Sequence, residues 1–200
     1  MTNFYNERTQ ETFTEAALAA AGYIAAVGSA DLEALRKSGI YPICYDYPAV
    51  PDTYAMMPDK LTKEGDIYVR SFKLVDAPLD TAKEQLLERL ADIRWQKETG
   101  GIELEGIRIS TDRQSQAMIT QTVAGLNLTN ATDNPITTVK FKSDSGFVEL
   151  SAEQIAAIGI AVTRHVEACY AREQELASKI ESIKTIKTLR KLDLSAGWPV

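Results

Sequence analysis

The sequence predicts an α+β protein in two parts. A small N-terminal α+β module with short strands covers residues 1–77, and a C-terminal domain of helices and two β-hairpins, ending in one long helix, covers 78–200. Three observations carry this. Residues 66–75, DIYVRSFKLV, place Ile67 and Val69 on one face of a strand and Tyr68 and Phe72 on the other. Apolar residues recur at helical spacing in 78–101, PLDTAKEQLLERLADIRWQKETGG, and again from Ile155 onward. Glycine and proline punctuate the runs between them.

The apolar run of residues 16–27, AALAAAGYIAAV, falls short of the roughly 20 residues that span a bilayer. Glu7, Glu11 and Glu15 precede it, where a secretory signal carries positive charge. It is expected as a helix that packs closely through its small residues, either in its own core or as a docking segment with Leu18, Tyr23, Ile24 and Val27 as contacts. Ser29 precedes a short helix with Asp31 and Glu33 in its first turn, Arg36 and Lys37 in its last and Gly39 beyond. Ile40 to Tyr47 favours a strand, which Pro42 confines to an edge or a strand start. Pro48, Pro51 and Pro58 predict an irregular connection before the second strand, giving a sheet of two or three strands.

In the second part, Leu79, Ala82, Leu86, Leu87, Leu90, Ile93 and, more loosely, Trp95 mark a helix stopped by Gly100 and Gly101. A hairpin alternates Ile102, Leu104, Ile107 and Ile109 about a turn at Glu105 and Gly106. Ser110 or Thr111 is expected to cap a helix running from Asp112 towards Gly125, and a second hairpin is expected to turn at Ser143 to Gly146. Ser151 and Gln154 form a capping box for a helix of about 35 residues, with Ile155, Ile158, Val162, Val166, Cys169, Leu176, Ile180 and Ile183 on one stripe. That stripe packs either within the chain or as a self-association seam, with a homotrimer favoured.

Composition narrows the function. A net charge of −6 argues against a nucleic-acid binder, which needs a basic surplus on some face. Lys179, Lys184, Lys187, Arg190 and Lys191 give the last 22 residues a charge of +3, which suits a solvated helix end or steers the tail to an acidic partner. Cys44 and Cys169 form no CxxC pair, so free thiols are expected. One histidine, His165, cannot make a zinc triad, and it reads as a surface or core-edge residue. The segment around Asp144 is too sparse in carboxylates for calcium. No nucleotide-binding or nucleophile motif is present, so no catalytic residue, cofactor or metal is expected.

Several motifs nevertheless form a recognisable series: Arg94-Trp95, Thr111 to Gln116, Phe141-Lys142, Gly146-Phe147, His165 to Tyr170 with Glu173, and Gly197 to Pro199. Residues 88–200 resemble a domain of unknown function that recurs at the C-termini of tail and fibre-associated proteins of tailed bacteriophages. Phe141 departs from that pattern, where Trp is common. The resemblance implies a non-enzymatic structural component of the virion, in the tail, baseplate or fibre attachment, with other tail or fibre proteins as partners. It implies residence in the virion tail, and in the host cytoplasm during assembly. The alternative is a tail-fibre assembly chaperone absent from mature particles.

Overall fold

A computed structural model describes residues 2–130, 132–143 and 146–199. The chain is mixed α+β and divides into two compact units, Met1–Pro78 and Leu79–Val200.

The first unit holds strands β1 (Asn3–Asn6) and β2 (Glu11–Thr14), helices α1 (Glu15–Ala20) and α2 (Leu32–Lys37), and strands β3 (Ile40–Asp46), β4 (Tyr54–Glu64) and β5 (Ile67–Asp76). They form one five-stranded sheet in the order β2-β1-β3-β5-β4, larger than expected, in which β3 and β5 are parallel and the other pairs antiparallel. The expected irregular connection is present over residues 47–53, with Pro48 and Pro51, but Pro58 belongs to β4, an edge strand whose register shifts between Pro58 and Leu61; a bulge on an edge is where a strand tolerates proline. β3 is an interior strand in spite of Pro42. Its ladder to β5 begins only at Ile43, so the strand has a partner on one side alone at the proline.

The run 16–27 is not one helix. α1 is capped by the Thr14 side chain, stops at Ala20, and gives way to Gly22 at φ 78°. Leu18 and Ile24 are buried with Phe4, Leu35 and Ile40 in the core of this unit, whereas Tyr23 and Val27 are exposed. The four residues therefore present no common docking face. α2 is capped by Asp31, not Ser29, whose hydroxyl instead engages the backbone of Ala26.

The second unit runs α3 (Leu79–Thr99), β6 (Ile102–Leu104), β7 (Ile107–Ile109), α4 (Arg113–Thr129), β8 (Thr138–Ser143), β9 (Gly146–Ser151), α5 (Ala152–Ser182) and α6 (Ile186–Leu189). Glu105 and Gly106 both take positive φ, 51° and 77°, as a two-residue hairpin turn with the twist of its strands requires. The reading of Asp144 and Ser145 at the second hairpin turn lies outside the described residues. Asp112 caps α4, and the helix continues past Gly125 to Thr129. Ser151 and Gln154 do form the capping box of α5, which ends at Ser182, short of the 35 residues expected.

The stripe of α5 is covered by its own unit. Ile155, Ile158 and Val162 pack with Ile102, Ile109, Ile119, Leu126 and Leu150, and Val166 packs against the same cluster. Cys169, Leu176 and Ile180 are buried farther along α5, which packs on α3 with its buried Ala82, Leu86 and Leu90. Ile183 lies beyond the helix as its C-cap, half-buried. These residues are thus core and not a free oligomer seam. Fully burying each large apolar side chain is worth about 1.5–3 kcal/mol, which exposure for self-association would forfeit.

Candidate functional site

Three motifs of the second unit, Arg94-Trp95, Thr111 to Gln116 and His165 to Tyr170, converge. α3 carries Ala82, Leu86 and Leu90 on its buried face, and the same spacing brings Arg94 and then Glu98 inward, just before Gly100 and Gly101 stop the helix. Glu98 is 0% exposed. Its carboxylate accepts from the Arg94 guanidinium one turn back, from Arg113 Nη2 at 3.0 Å and from Gln116 Nε2 at 3.4 Å. Arg94 also reaches Glu173 of α5 at 3.2 Å through Nε. Two guanidiniums from two helices thus neutralise one fully buried carboxylate, the condition under which a buried charge is tolerated.

Backbone groups at the same joint are satisfied by side chains. Thr111, expected as a helix cap, is fully buried; its hydroxyl donates to the Glu98 carbonyl at 2.5 Å and accepts from Gly101 N at 2.8 Å. Gln116 Nε2 donates to the Thr111 carbonyl at 2.6 Å. The cap itself is Asp112, which accepts from Gln114 N and Ser115 N, and the Ser110 and Ser115 hydroxyls that donate to it hold its carboxyl well below the usual range. Gly101 cannot be replaced freely: it sits at φ 82°, and a Cβ there would stand 2.9 Å from the Ile109 carbonyl oxygen.

His165 and Cys169 occupy the inner side of this joint. The histidine Nε2 lies 3.0 Å from the Lys97 carbonyl, so it carries the proton in that bond, and Cys169 Sγ lies 3.8 Å from the same nitrogen. That nitrogen is therefore not free to take a proton from the thiol. Burial and the Glu98 charge push the Cys169 thiol up, the opposite of an activated nucleophile. His165 Nδ1 is buried and makes no hydrogen bond. The pair reads as packing at the joint of α3 and α5.

The outer side differs in character. Trp95, 45% exposed, carries the Arg113 guanidinium over its ring at 5.1 Å, and Tyr170, 44% exposed, carries that of Arg94 at 4.7 Å. Arg113 Nη2 also donates to the Tyr170 hydroxyl at 3.5 Å. The four side chains form one continuous patch resting on Glu98. Beside Tyr170 a hollow opens between α3 and α5, with Leu87, Glu167 and Gln174 among its walls.

In the closing motif, Trp198 is buried and donates to the Leu194 carbonyl. Arg172 grips the Ala196 carbonyl through Nε and Nη2, at 3.2 and 2.8 Å, so the C-terminal segment folds back along the helix well before Ser182. A Cβ at Gly197 would stand 3.0 Å from that guanidinium. Phe141 packs against the core cluster, and Phe147 is exposed on the opposite face of its hairpin.

Residues 81–195 match the model of a domain of unknown function, DUF4376, over more than half of the chain. The chain belongs to the DUF4376 family. The matched segment contains the whole Glu98 joint, from α3 to Glu173, and stops just short of Gly197 to Pro199. No curated protein and no solved structure matches this DUF4376 chain.

Glu98 is the member of the joint that sequence reasoning missed. The available signal was its place on the buried stripe of α3, four residues after Arg94, where a charge on an apolar face calls for a partner. Among the described residues no group of three or more His, Cys, Asp or Glu is placed to hold a metal, and no helix is long and apolar enough to cross a membrane.

Proposed function

We propose that this DUF4376 chain is a structural component of a bacteriophage virion, associated with the tail, baseplate or fibre attachment, that docks onto neighbouring tail or fibre proteins. One observation carries this reading. Three of the motifs that resemble those of phage tail and fibre-associated proteins, Arg94-Trp95, Thr111 to Gln116 and His165 to Tyr170, meet at a single joint with the buried Glu98 network inside and the Trp95–Arg113–Tyr170 patch outside. Trp, Tyr and Arg are the residue types that dominate binding energy at protein interfaces, and here Arg94 and Arg113, over which Tyr170 and Trp95 lie, are both paired from beneath with Glu98. The inert setting of Cys169 and His165 agrees with a role in shape and not in turnover.

Mass spectrometry of purified phage particles tests the reading. The chain is expected at a copy number comparable with other tail proteins. Its absence from particles, combined with binding to a fibre protein in infected-cell lysate, would move the assignment to an assembly chaperone.

A further inference from the structure

α5 has a second stripe, outside the buried one. Glu153, Ala157, Ile160 and Arg164 follow each other at four, three and four residues, so they share one helix face, and all four are exposed. Ile160 is 54% exposed. Beside it runs a groove of about 600 Å³ between α4 and α5, with Val123, Ala124 and Asn127 on one wall and Gly159, Ile160 and Thr163 on the other. Gly159 allows this close approach: a Cβ there would lie 3.2 Å from the Val123 side chain.

This face lacks charge to an unusual degree. From Gln114 to Asn130, nearly all of α4, there is no charged residue, nor is there any from Gln154 to Thr163 of α5, in a chain that is 25% charged. A helix face in water normally carries charge. A molecule of net charge −6 also repels its copies over most of its surface, and a charge-free patch is where they can approach.

We infer that this face joins two copies of the chain, with their α5 helices antiparallel across a two-fold axis. That arrangement is self-complementary in the sequence itself. When Ala157 of one copy faces Ile160 of the other, Glu153 faces Arg164, twice per dimer, with opposite charges closing the ends of an apolar centre. Ile160 then lies at the groove wall formed by Val123 and Ala124 of the other copy. This uses none of the buried α5 residues and is independent of the virion reading, because two copies would pair in solution whether or not they enter particles.

Sedimentation equilibrium of the full chain tests the inference, with circular dichroism to verify folding. A particle of twice 22.0 kDa is expected. Arg164→Glu sets like charges together at both ends and is expected to weaken the dimer by roughly tenfold or more. Ile160→Asp is expected to yield monomer while leaving the fold intact, because the position is exposed in one copy. The double exchange Glu153→Arg with Arg164→Glu restores opposite charges across the axis and is expected to recover the dimer. A monomer at about 100 μM wild-type protein, a dimer indifferent to Arg164→Glu, or a folded double exchange that stays monomeric overturns the proposal.

Discussion

Removing the carboxylate of Glu98 is expected to unfold the second unit far more easily than loss of an ordinary surface acid. In Glu98→Ala the Arg94 guanidinium, whose side chain is only 14% exposed, loses its innermost partner and keeps Glu173, while Arg113, 53% exposed, turns to water at little cost. Breaking a buried ion pair from one side costs about 3–5 kcal/mol. For a protein of this size each kcal/mol lowers the melting temperature by about 2–4 °C, so a fall of roughly 6–20 °C is expected. Thermal and urea unfolding followed by circular dichroism measure it. The double variant Arg94→Met with Glu98→Leu separates the lost pair from the stranded charge: it is expected to be more stable than Glu98→Ala, because no buried guanidinium that has lost its innermost partner remains. A Glu98→Ala variant within about 1 kcal/mol of wild type, or a double variant whose loss is the plain sum of the single ones, would refute the assignment of this carboxylate as the anchor of the joint.

Two further outcomes follow from the same structure. Ile158→Asp or Val162→Asp is expected to unfold the second unit instead of separating intact subunits, because each position is buried in its core cluster; a folded monomer in either variant would return these residues to an interface. In the first unit, burial and the hydrogen bond to Glu7 push the Tyr68 phenol up to about 12 from an ordinary 10.0. The folded state therefore holds this proton more tightly, and the stabilisation is complete below pH 10 and lost as pH rises through the folded value. Ultraviolet titration is expected to show one late-ionising tyrosine that is missing in Tyr68→Phe, and simultaneous ionisation of every tyrosine near pH 10 contradicts the network.

Local signals located most of the second unit. The capping box at Ser151, the left-handed pair Glu105-Gly106 and the glycine stop after α3 are written in neighbouring residues, and each appears where expected. The first unit was less legible because its sheet depends on distant partners. β1 pairs with both β2 and β3, and β4 gains its ladder from β5, so neither short polar runs nor Pro58 betrayed a strand. Within the joint, the Arg94, Thr111, Arg113, Gln116 and His165 motifs were visible, whereas Glu98 passed as one more acid on a charged helix.

Sequence alone determined the α+β class, the periodicity of α3 and α5 and the capping of α5, because these depend on contacts within a few residues along the chain. Tertiary structure decided which stripe of α5 is core and which meets solvent. Both stripes recur at three and four residues, so only the positions of α3, α4 and the hairpins around the helix could assign them. The same folding carried Glu98, Arg113 and Glu173 from separate segments to a single joint, since a buried charge finds its partners in space and not in sequence.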